Sequence, residues 1–103
     1  MEFSKNYDAT IRALDARLSD LIDSGLAFDL ERKGDVLNVE FEDGEKIVIT
    51  PQSPLEQLWI SANYAGHRFN WNGTEWTHEK SGETLTSFLA SLLSQKLGMH
   101  VTL

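Results

Sequence analysis

The stretch Val36-Leu37-Asn38-Val39-Glu40-Phe41-Glu42-Asp43-Gly44-Glu45-Lys46-Ile47-Val48-Ile49 decides the fold. Leu37, Val39 and Phe41 alternate with Asn38 and Glu40, the period of two that marks a strand with one buried face. Asp43-Gly44 is a strong hairpin signal, because glycine readily takes the positive φ a tight turn requires. Ile47 and Ile49 resume the alternation on the other side. Two antiparallel strands that are apolar on one face need a layer to cover that face.

Reading outward, the alternation continues in both directions. Upstream, Phe28 and Leu30 alternate with Asp29 and Glu31, and Lys33-Gly34-Asp35 turns the chain into the quoted stretch. Downstream, Pro51 and Pro54 frame a short connection, since neither extends a strand interior. Leu55–Ser61 reads as the next strand, with Leu58 and Ile60 toward the core. His67–Trp71 and Thr74–Thr77 flank Asn72-Gly73, a second hairpin signal. The total is five or six antiparallel strands.

Helical spacing appears at both ends. Phe3, Tyr7, Ile11, Leu14, Leu18, Leu21 and Ile22 recur every three or four residues, up to a stop at Ser24-Gly25. Leu85, Phe88, Leu89, Leu92, Leu93 and Leu97 repeat the pattern and end at Gly98, with Ser81 or Thr84 as the cap. Three apolar residues in the tail Met99–Leu103 predict that it packs. Two helices with one stripe each cover one face of one sheet. The expected fold is an α+β two-layer sandwich, helix–antiparallel sheet–helix, with both helices on one face and a single domain over residues 1–103.

Charge narrows the function. The net charge is −7, and residues 1–45 carry all of it, with twelve Asp and Glu against five Lys and Arg. An acidic half repels nucleic acid and anionic membranes, and attracts metal cations and basic protein surfaces. Cysteine is absent, which excludes a thiol nucleophile and self-supplied thiolate ligands. No signal-peptide core or ~20-residue apolar run is present, so a cytoplasmic location is expected. Gly-rich phosphate loops, the G-x-S-x-G elbow and zinc-protease spacing are missing, so no enzyme activity is expected.

Two surfaces remain as candidates. Asp8, Asp15 and Asp23 fall on one flank of the first helix with Asp20 further round, and Asp29 and Glu31 extend the acidic strip if the first strand lies beside that helix. Carboxylates are hard donors suited to iron, manganese, magnesium and calcium, but this spacing makes a field and not a cage. Weak, hydrated and exchangeable cation binding is the expectation, set against a merely solvated acidic face. On the sheet, Gln57, Trp59 and Ser61 point away from the helices, in company with Asn38, Glu40, Arg68 and Asn70. An outward tryptophan among polar residues suits a protein contact, unless a long neighbouring side chain covers it. Phe69 and Trp71 read as core, with Trp76 across the hairpin. His67, His78 and His100 are far apart in sequence, and a surface or packing role is expected for each, ahead of a supplementary ligand role for His67 or His78.

The order and spacing of several motifs resemble the bacterial frataxins. They are Val36–Gly44, Pro54-Leu55-Glu56-Gln57-Leu58-Trp59-Ile60-Ser61, Arg68-Phe69-Asn70-Trp71, Glu75-Trp76 and Ser81-Gly82-Glu83-Thr84-Leu85. The resemblance spans essentially the whole chain. It implies an iron-binding regulator of iron–sulfur cluster assembly, monomeric when apo, that contacts a cysteine desulfurase and the cluster scaffold protein docked there. It implies weak, exchangeable binding of Fe2+ or Fe3+ at Asp15, Asp20, Asp23, Asp29 and Glu31, with Asp8 nearby. Partner contacts would be Asn38, Gln57, Trp59 and Arg68. The chain departs from the family pattern where Ser19, Leu21, Ile22, Ser24 and Ala27 interrupt the acidic run, which bears on iron stoichiometry and affinity. The competing expectations are an iron oxidase or store using the same carboxylates, and a generic binding module whose acidity serves solubility.

Overall fold

A computed structural model describes residues 2–103. The element order is α1 (Phe3–Asp23), β1 (Phe28–Lys33), β2 (Val36–Phe41), β3 (Lys46–Gln52), a 3₁₀ turn (Ser53–Leu55), β4 (Gln57–Ala62), β5 (Ala65–Trp71), β6 (Trp76–His78) and α2 (Leu85–Leu97). The six strands form one antiparallel meander in sequence order. Both apolar helix stripes meet one face of it. Phe3, Tyr7, Ile11, Leu14 and Leu18 from α1, and Leu85, Leu89 and Leu93 from α2, share one core with Leu37, Val39, Ile49, Leu58, Ile60 and Phe69. The expected sandwich is therefore the observed one.

The helix ends follow from local chemistry. Gly25, at φ 108°, closes α1 in a Schellman motif, with Leu26 N–H donating to Leu21 O and Gly25 N–H to Ile22 O. Thr84 caps α2, its hydroxyl accepting from Ser87 N–H at 3.3 Å. The C-terminal tail packs as expected. Val101 is buried and donates its N–H to Ser94 Oγ, while Arg17 reaches the Thr102 carbonyl.

Several strand boundaries differ from the sequence expectation. β3 runs through Pro51 to Gln52, whereas Pro51 was expected to stop it. The β2 ladder reaches only Ile49, so beyond that point one side of β3 is an edge where a missing N–H is tolerated. Leu55 belongs to the 3₁₀ turn and is exposed, and Glu56 turns left-handed at φ 53°, so β4 begins at Gln57. The second hairpin turns at Gly73-Thr74, one residue later than Asn72-Gly73 predicts. Asn72 Oδ1 accepts the N–H of both Thr74 and Glu75, and Asn72 N–H donates to Glu75 O. β4 and β5 are joined by Asn63-Tyr64, both at positive φ, and Tyr64 is fully exposed. This matches a type I′ hairpin that carries no glycine to announce it.

Candidate functional site

The register divides the acidic residues between two faces. In β1, Phe28 and Leu30 pair with Phe41 and Val39 on the core side, while Asp29 and Glu31 pair with Glu40 and Asn38 on the open side. The side chain of Arg32 turns back to α1. Its guanidinium lies 3.6 Å from Asp8 and 3.7 Å from Asp15, and Arg12 adds a 2.8 Å pair to Asp8. Edge strand β1 therefore lies beside α1, as the acidic strip required. The same contact partly neutralises Asp8 and Asp15. Asp20, Asp23, Asp29 and Glu31 are exposed and make no ion pair among the described residues.

Asp20 and Asp23 occupy the last turn of α1, where no basic residue accompanies them. A helix C-terminus carries partial negative charge, so carboxylates there are disfavoured by about 0.3–1 kcal/mol each. Local stability does not explain their position, and rule-breaking residues of this kind concentrate at functional sites. Among the described residues, no three His, Asp or Glu side chains converge to hold one ion. The ridge offers dispersed oxygen donors, with its unneutralised charge at the end of α1 and along β1.

The open sheet face carries an ordered polar cluster. Cross-strand rows place Thr50 beside Trp59 and Trp59 beside Arg68, and Gln57 beside Asn70. The Arg68 guanidinium sits 4.9 Å above the Trp59 ring, so the long neighbour weighed against exposure is present and leaves the indole half-buried. Gln57 departs from the expectation of a displayed side chain. It is only 8% exposed, because its amide is enclosed by Trp59, Asn70 and Glu79. Asn38 shares the face but not the cluster, since β3 separates it from Trp59. Glu79, just past β6, was missed because no periodicity reaches it. The apolar groove of about 330 Å³ lined by Ala9, Ala13, Trp71 and Trp76 lies on the helix side, away from both surfaces.

His67 and His78, distant in sequence, meet at the sheet end beneath Phe88. His78 Nδ1 accepts the N–H of Lys80 and Ser81, so its proton sits on Nε2 and is donated to His67 Nδ1 at 3.1 Å. The two facing nitrogens share one hydrogen bond, which leaves neither free as a ligand. Burial, then His78 and then Lys80 push the His67 pKa below the ordinary histidine range. A lowered folded pKa gives stability that is present above the unfolded value of about 6.5 and is lost as pH falls through the folded one. Wild-type protein is therefore expected to lose more thermal stability than His67→Phe between about pH 7.5 and about pH 5.5. Equal losses in parallel melting curves would contradict this coupling.

The chain is an α+β sandwich with one bare sheet face and exposed carboxylates on its first helix and edge strand. The chain belongs to the frataxin family, as the family model described as a frataxin-like domain matches residues 1–99. It is 38% identical to the iron-sulfur cluster assembly protein CyaY of Janthinobacterium sp. (strain Marseille), over 99% of this chain and 93% of that one. It is 35% identical to the CyaY of Herminiimonas arsenicoxydans, with the same coverage. Among solved structures, the frataxin from Psychromonas ingrahamii matches with a TM-score of 0.84 and 25% identity, over 99% of this chain and 97% of that one. The trimeric frataxin of the yeast Saccharomyces cerevisiae matches at 0.78 and 24% identity, over 89% and 78%, and speaks to the fold alone. No helix among the described residues is long and apolar enough to cross a membrane.

Proposed function

We propose that this protein is an iron-responsive, non-enzymatic regulator of iron–sulfur cluster assembly in the cytoplasm. Asp20, Asp23, Asp29 and Glu31 bind Fe(II) or Fe(III) weakly and face a basic surface of the cysteine desulfurase. Asp8 and Asp15 contribute background charge, reduced by Arg32 and Arg12. Trp59 and Arg68 on the open face contact the desulfurase–scaffold complex, and Asn38 marks a more distant point of the same footprint. Gln57 serves the contact indirectly, by holding Trp59.

The observation that carries the reading is the pair Asp20 and Asp23, exposed, unpaired and set against the helix dipole in a member of this family. Dispersed carboxylates suit hydrated, exchangeable ions. Iron occupancy then changes the charge of a surface on which partner binding depends, which ties sulfur delivery to iron supply. An oxidase or iron store needs closely paired sites, and no such convergence supports it among the described residues. Desulfurase turnover, read as alanine release, is expected to change when the protein is added and to change further with Fe(II). Turnover indifferent to the protein, with or without iron, would contradict the proposal.

A further inference from the structure

Gln57 is the only buried polar residue among the described residues, and both its amide oxygen and its amide nitrogen are engaged. Its Oε1 accepts the Trp59 indole N–H at 2.9 Å. Its Nε2 donates to Asn70 Oδ1 at 3.1 Å and to Glu79 Oε1 at 3.2 Å. Rotating the amide by half a turn would point its N–H groups at the indole N–H and its oxygen at two acceptors. Only one orientation therefore satisfies the network.

Two groups select that orientation, the Trp59 indole nitrogen, which can only donate, and Glu79. The amide of Asn70 can itself rotate to offer either a donor or an acceptor, so it imposes no direction. An ionised carboxylate can only accept. Glu79 is also delivered from a fixed backbone. Its own N–H donates to the Arg68 carbonyl at 2.8 Å, and His78 Nδ1 holds the next two N–H groups. The chain of constraint runs from Glu79 through Gln57 to the indole nitrogen of Trp59, with Arg68 lying over the ring.

We propose that Glu79 is a positioning residue of the open face, which through Gln57 holds the Trp59 indole in one orientation. This rests on the reading of Trp59 as a partner contact only for its consequence, since the positioning itself is a property of the free protein. A ring held in place before association loses less freedom when it binds. Glu79 thus adds to affinity without needing to touch the partner.

The test uses ¹⁵N-labelled full-length protein and the indole N–H signals of Trp59, Trp71 and Trp76, with Trp59→Phe identifying the first. Glu79→Ala is expected to shift the Trp59 indole signal and speed its hydrogen exchange about tenfold, as a lost hydrogen bond to a charged group implies. The Trp71 and Trp76 signals should stay in place, which reports an intact fold. Glu79→Gln keeps an accepting oxygen on an amide that can also rotate, as Asn70 can, and is expected to fall between wild type and Glu79→Ala. The Kd for the cysteine desulfurase should rise about five- to tenfold in Glu79→Ala and by less in Glu79→Gln. An unchanged Trp59 indole signal in Glu79→Ala would overturn the positioning role, whatever the partner does. If the indole responds as expected but neither Glu79→Ala nor Trp59→Ala alters desulfurase binding, positioning stands and the partner role of this face falls.

Discussion

Reversing Asp20 and Asp23 to lysine together is expected to weaken binding to the cysteine desulfurase by at least about tenfold at low salt. Both side chains are exposed, lie one helical turn apart and have no counter-ion among the described residues. The substitution therefore changes the surface potential without breaking an internal contact. Screening provides a signature. The Debye length falls from about 30 Å at 0.01 M to about 3 Å at 1 M, so the difference from wild type should shrink steadily as salt rises. Stability should move in the opposite direction, since a lysine in the last turn is favoured by about 0.3–1 kcal/mol where an aspartate is disfavoured. Weaker binding by a protein that melts no earlier cannot be ascribed to unfolding. Binding equal to wild type at every salt concentration, measured by calorimetry, would remove the ridge from the interface.

The largest expected effect on stability is that of Phe69→Ala. Phe69 is fully buried in the middle of β5, paired with Leu58 on one side and His78 on the other. It packs edge-on against Phe88 of α2, with ring centroids 5.3 Å apart, and against His78 at 5.2 Å. Truncation removes the ring that joins the sheet to the second helix and leaves a cavity that a β-strand cannot collapse around. The expected cost is about 3–5 kcal/mol, a large part of the total of about 5–15 kcal/mol typical of a domain. Urea unfolding measures it directly, and a loss under about 1.5 kcal/mol would show that Phe69 does not hold the two layers together. The exposed acids should differ in kind, since substitutions there should alter binding without lowering the urea midpoint.

The contrast between Phe69 and the ridge also shows where sequence reading succeeds. Elements with a sustained period were legible. The 3.6-residue stripes of α1 and α2 and the alternation around Asp43-Gly44 specify both layers and which face of the sheet is buried. The boundaries that moved depend on backbone detail that no side-chain pattern reports. Pro51 is tolerated because β2 has already ended beside it, and Asn72 shifts its turn by accepting two backbone hydrogen bonds on its side-chain oxygen. Within the candidate site, the identity of the acidic residues was legible and their pairing was not. Asp8 and Asp15 look like Asp20 and Asp23 until Arg32 is brought across from β1. Asp29 and Glu31 lie on the open side of edge strand β1, and that this strand runs beside α1 is a packing fact that alternation alone does not report. Gln57 reads as displayed by alternation, yet a hydrogen-bond network drawn from β4, β5 and the segment after β6 encloses it. Such contacts are long-range, and a period of two or 3.6 contains no information about them.

The central claim is that iron and the desulfurase share one acidic surface. The most direct measurement is an NMR titration of ¹⁵N-labelled apo-protein, first with Fe(II) under anaerobic conditions and then with the cysteine desulfurase. The account predicts that iron broadens signals around Asp20, Asp23, Asp29 and Glu31, and that the desulfurase perturbs the same set together with Trp59 and Arg68. Broadening spread evenly over the surface, or a desulfurase footprint that leaves the end of α1 untouched, would contradict it.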